Sequence, residues 1–130
     1  SFVFSSRITY GKGKVICLST LLLLLTDIVL DPGAVHLGFW RYSNQGEFYG
    51  VPISNFIGWI MSGFFGSLIL YSLINKFGQI NQEKTTRIPT SVGLCFLVIL
   101  LFWTCISFWA PLVWPFIVGI LLLIFLTKFL

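Results

Sequence analysis

Residues 88–127 read IPTSVGLCFLVILLFWTCISFWAPLVWPFIVGILLLIFLT and contain no Asp, Glu, Lys or Arg. As one helix this stretch would be about 60 Å long, roughly twice the hydrocarbon core of a bilayer. It therefore crosses twice. The break falls at Phe108-Trp109-Ala110-Pro111-Leu112-Val113-Trp114-Pro115. Its two prolines interrupt helical hydrogen bonding, and its two tryptophans suit a membrane interface. The expected helices are 90–108 and 112–127.

Working outward, residues 76–89 are polar and charged and read as a loop. Residues 53–75 form another apolar run, started by Pro52 and Ser54. A fourth run covers 15–30, leaving 31–52 as a long connection rich in Gly, Pro and aromatics. Such a connection is expected to fold back onto the helices. The prediction is a single all-α membrane domain over 1–130 with about four transmembrane helices.

Composition supports this class. Of 130 residues, 57% are hydrophobic and 9% charged, against about 25% charged in a soluble domain. A soluble monomer and a disordered chain are both excluded. The net charge of +4 comes from scattered side chains that form no stripe, which argues against nucleic acid. With four crossings, Arg7, Lys12, Lys14, Lys76, Lys84, Arg87 and Lys128 share one side and only Arg41 lies on the other. That bias predicts an N-in, C-in topology. Cys17, Cys95 and Cys105 all sit in apolar runs without CxxC spacing, and are expected to be buried thiols. His36 is the sole histidine, so no multi-histidine metal site is expected. No motif for a nucleotide or redox cofactor is present.

The first span is anomalous. Between Lys14 and Asp27 the uncharged stretch covers about 18 Å of helix, too short to cross. The helix spans only if Asp27 lies at membrane depth, where a carboxylate is costly unless paired or solvated. Asp31 follows at i+4, and Thr20 precedes at i−7, so one stripe carries Thr20, Asp27 and Asp31. Two carboxyls this close compete for one negative charge, the situation a general acid exploits. The alternative reading has Asp31 ending the helix before Pro32 and Asp27 bonding Arg41 or another helix.

The following segment, DPGAVHLGFWRYSNQGEFYGVPISNFIGW at 31–59, concentrates His36, Trp40, Arg41, Tyr42, Glu47, Phe48, Tyr49, Asn55 and Trp59. Aromatic faces beside acids can stabilise a carbocation; they also suit an interfacial belt. Asn55 can orient water or a carboxylate, or satisfy the start of a helix. Gly58, Ser62 and Gly66 form a small-residue stripe, with Gly63 and Ser67 beside it. Close helix packing is the favoured reading, and a groove for a long flat ligand the alternative.

In Asp31-Pro32, Gly38-Phe39-Trp40-Arg41-Tyr42 and Gly46 through Trp59, the chain resembles the membrane-embedded carotenoid biosynthesis proteins. That family includes carotenoid 1,2-hydratases and bisanhydrobacterioruberin hydratase. The flanking helices match only in hydropathy. Family members are about twice this length, so the chain resembles their C-terminal half, and a missing N-terminal half is an expected partner. The resemblance implies a lyase that adds water to the terminal double bond of an acyclic carotenoid, in a cytoplasmic or thylakoid-type photosynthetic membrane, without cofactor or metal. Chemistry then nominates Asp27, Asp31 and Glu47 as proton donor and water-positioning groups. Trp40, Tyr42, Tyr49, Asn55 and Trp59 become the substrate-binding candidates. The competing reading is a non-enzymatic transmembrane subunit that binds carotenoid or chlorophyll beside other membrane subunits in a photosynthetic complex.

Overall fold

The computed structural model describes residues 1–9, 11–80 and 90–129. Their order is α1 (Phe2–Ile8), α2 (Lys12–His36), α3 (Ile53–Ile80), α4 (Thr90–Trp109) and α5 (Val113–Thr127), with no strand among the described residues. The fold is all-helical, as the hydropathy pattern dictates. Among the described residues, three helices are long and apolar enough to cross a membrane: Lys12–His36, Ile53–Lys76 within α3, and Thr90–Trp109. The apolar α5 has 15 residues, a length of about 23 Å.

Helix α2 is the hub, in contact with each of the other four helices. On one side it carries α3. On another, Leu22 and Val29 of α2 pack with Leu97 and Leu100 of α4, Leu122 and Leu126 of α5, and Phe4 of α1. Gly119 lets α5 close on α4, because a Cβ there would collide with Thr104 Oγ1. The short α1 has no counterpart among the expected spans.

Helix α2 extends beyond the expected 15–30 at both ends. Pro32 does not stop it; the proline ring is fully buried inside the helix. The stop comes at Gly38, whose φ is +74°. The Phe39 N–H donates to the Ala34 carbonyl and the Gly38 N–H to Val35, a Schellman closure that favours glycine at its left-handed position. Asp31 and His36 therefore belong to the helix, and the connection begins only at Leu37. Helix α3 also runs past 75, to Ile80; residues 81–89 of the expected loop, with Lys84 and Arg87, lie outside the described residues.

Two further expectations are corrected. Cys17, Cys95 and Cys105 are exposed, because an apolar run in a membrane helix supplies the outer face as well as the interior. Gly58, Ser62 and Gly66 are exposed too, and a Cβ on Gly58 or Gly66 would meet nothing. Close packing falls instead to the neighbouring stripe: Ser67 is buried, and a Cβ on Gly63 would lie 3.0 Å from Leu23 Cδ2 and 3.4 Å from Thr20 Cα.

Candidate active site

The connection between α2 and α3 is built around a tight turn. Tyr49 and Gly50 have φ of +51° and +84°, positive at both central positions as a type I′ turn requires. The Val51 N–H closes it on the Phe48 carbonyl at 2.9 Å. Gly46 is obligatory beside it, since a Cβ there would overlap the Val51 and Pro52 backbone. The turn folds back on α2, where Gly50 faces Val35. This returns the chain to start α3 alongside the end of α2 that holds the acids.

Asp27 and Asp31 are 4% and 2% exposed. Lying one turn apart, they point to the same neighbours. The Asn55 side-chain amide donates to Asp27 Oδ2 at 3.2 Å and also to Asp31 Oδ2. The Tyr42 hydroxyl donates to Asp31 Oδ2 at 2.9 Å. One amide thus bridges two carboxyls, and one phenol adds a second bond to Asp31. All three bonds fall on Oδ2 atoms, and a further side-chain bond joins Asp27 and Asp31 to each other. The donors are neutral; Arg41 is exposed. The Tyr42 hydroxyl is pushed up to about 12, chiefly by desolvation and then by its bond to the neighbouring Asp31, with the Trp40 indole pulling the other way. It stays protonated, and stays a donor, through neutral pH.

The remaining candidates are distributed less tightly. Trp40 lies beside Tyr42 and is 40% exposed. Glu47 is exposed, and the bonds to the pair among the described residues come from Tyr42 and Asn55. The Tyr49 hydroxyl accepts the Trp114 N–H at 3.5 Å, tying the turn to the start of α5. Trp59 is 36% exposed on α3. Thr20 shares the acid stripe, but its hydroxyl donates to the Ile16 carbonyl of its own helix. His36 is exposed at the end of α2.

One further neighbour comes from a distant part of the chain. Trp103 of α4 presses on Gly33, two residues past Asp31; a Cβ on that glycine would lie 3.0 Å from Trp103 Cε3. Phe39 meets the same indole edge-on, with ring centroids 6.0 Å apart. The available signal was a tryptophan in mid-span, away from the interface where the type is usually found.

Among the described residues, no three His, Cys, Asp or Glu side chains gather as a metal site would require. The arrangement offers a pair of carboxyls, bonded to each other, that can carry one proton between them.

No solved structure matches the chain. Over 47 residues it is 57% identical to bisanhydrobacterioruberin hydratase of Haloarcula japonica, a match that takes in 35% of this chain and 16% of that protein. A profile of carotenoid biosynthesis proteins matches residues 4–126, nearly the whole sequence, and the chain belongs to that family.

Proposed function

We propose that the chain carries the acid site of a carotenoid hydratase, adding water to the terminal double bond of an acyclic carotenoid in the membrane. The observation that carries this reading is the buried Asp27–Asp31 pair bridged by a single Asn55 amide. Two buried carboxylates with only neutral donors are costly. One proton held between them removes one of the two charges and makes the pair a reservoir for acid catalysis.

The two acids differ in their bonds. Asp31 Oδ2 accepts from both Tyr42 and Asn55, whereas Asp27 Oδ2 accepts from Asn55 alone. The charge is better held on Asp31 and the proton on Asp27. In the first step the Asp27 carboxyl gives its proton to the less substituted alkene carbon. The π pair forms the new C–H bond and leaves a tertiary cation. Water then bonds to that cation through oxygen, and the excess proton passes to a carboxylate of the pair. The sum is alkene plus water to tertiary alcohol, with the acid restored. Tyr42 and Asn55 orient the pair, and Trp40 beside Tyr42 offers an aromatic face to the cation. Glu47 has no step in this scheme.

The test is pigment analysis after co-expression with an acyclic carotenoid pathway. A hydroxylated end group is the expected product. Unmodified carotenoid that co-purifies with the protein would favour the pigment-binding subunit instead, and would sink the hydratase reading.

A further inference from the structure

An open groove of about 430 Å³ runs between α2 and α3. Its α2 wall includes Cys17, Thr20, Leu21 and Leu24, and its α3 wall includes Met61 and Phe64. Except for the Thr20 hydroxyl, already bonded to its own helix, these side chains present only carbon and sulfur surface. Leu24 precedes Asp27 by three residues and Asp31 by seven, and Thr20 precedes Asp27 by seven. These are the spacings that share a helical face. The groove wall therefore leads, within one turn, to the acid pair. From Cys17 to Asp31 the face is about 21 Å long.

From this continuity we infer that the groove holds the polyene body of the substrate, laid along α2 with its terminal alkene at the carboxyl pair. The inference rests on the hydratase reading for the identity of the reacting end. The occupant follows from shape and chemistry. A long apolar polyene has to leave its reactive end at Asp27 while its body stays in apolar surroundings. The groove is an apolar, open surface, and Leu24 in its wall lies one helical turn from Asp27. Hydrophobic contact, with no hydrogen bonds to the body, supplies the affinity. The Phe64 ring adds polarisable surface for a conjugated chain.

The test fills the groove without touching the acids. Leu21 is 49% exposed, so Leu21→Trp adds bulk at an open position and leaves the core intact. Val98→Trp, at a site 64% exposed on α4, a helix that lines no part of the groove, controls for added surface tryptophan. Purified protein in detergent is titrated with an acyclic carotenoid and followed by absorption. It is also assayed for hydration of a short acyclic isoprenoid alkene bearing the same end group. The expected result is binding of the carotenoid weakened about tenfold or more by Leu21→Trp, equivalent to about 1.4 kcal/mol. Val98→Trp should bind normally and keep its short-alkene turnover, and Leu21→Trp should unfold at the same temperature as the unmodified protein.

Carotenoid binding unchanged in Leu21→Trp, or weakened equally in Val98→Trp, overturns the inference. So does a Leu21→Trp variant that sheds co-purifying phospholipid but still binds carotenoid, which would make the groove an acyl-chain site. If the unmodified protein binds the polyene in a groove-dependent way but hydrates neither alkene, the hydratase reading fails while the groove assignment stands.

Discussion

Asn55, in the first turn of α3, donates its side-chain amide to Asp31, near the end of α2. The same nitrogen also bonds Asp27, so one neutral side chain fixes two acids and ties two helices together. Replacing it leaves two buried acceptors short of a donor. Asn55→Ala should cost about 1–3 kcal/mol, the penalty for an unmet buried polar group, read as earlier thermal unfolding in detergent. Hydration should fall further than stability alone accounts for. Full turnover in a well-folded Asn55→Ala would rule out the bridging role.

The Tyr42 phenol gives a pH test. Its folded value is pushed from 10.0 up to about 12, so the protonated form is favoured by folding. That contribution is fully present below pH 10 and is lost as pH rises through about 12. Thermal stability of the unmodified protein should therefore decline between these limits by a component that Tyr42→Phe lacks. Near neutral pH, Tyr42→Phe should lower turnover without adding a new pH limb. An identical alkaline decline in both proteins would show that the phenol is not coupled to the acids.

Gly38 offers a test free of side-chain crowding. A Cβ there would meet nothing within 4 Å, yet φ is +74°. Gly38→Ala should destabilise by about 1–2 kcal/mol through backbone strain alone, and Gly38→Asn by less. Equal stability of all three would mean that α2 does not end in this closure.

The legible and illegible parts of the structure divide along physical lines. The spans were readable because twenty apolar residues have few fates, and the face shared by Asp27 and Asp31 because helical periodicity is local. The true end of α2 was also written in the chain, at Gly38. The Asp31-Pro32 pair masked it, since proline stops helices in water more reliably than inside a membrane bundle. What could not be read was which side of a uniformly apolar helix faces lipid. That is why hydropathy alone points the cysteines inward and favours the Gly58 stripe over Gly63 for close packing. The meeting of Tyr42 and Asn55 with the acids depends on how the 37–52 connection folds back, and no local pattern encodes it. Trp103 reaches Gly33 from another helix, beyond any periodicity within α2.

The Gly119–Thr104 contact predicts a compensating pair. A Cβ on Gly119 would overlap Thr104 Oγ1 and crowd its Cγ2 at 2.9 Å. The Thr104 hydroxyl is itself fixed by a 2.7 Å bond to the Leu100 carbonyl. Gly119→Ala should therefore lose about 1–3 kcal/mol by overpacking. Adding Thr104→Ala removes the two nearest crowding atoms, leaves only the Cβ at 3.0 Å, and should recover much of the loss, measured as a double-mutant cycle on unfolding temperature. Purely additive losses would place the two helices further apart than described.

The carboxyl pair itself gives the sharpest prediction. Asp27→Asn removes the proposed proton donor and should lower hydration about 10²–10⁴-fold, the range for losing a general acid. Asp31→Asn should be comparably damaging for a different reason: the remaining acid loses the charged partner that receives the excess proton. Because the two act as one unit, the double variant should be scarcely worse than either single one. Polyene binding, by contrast, should persist in all three, since the acids touch only the reacting end. Independent, multiplying losses would show that the carboxyls serve separate steps. Retention of full turnover in both single variants would move the acid function away from α2 altogether.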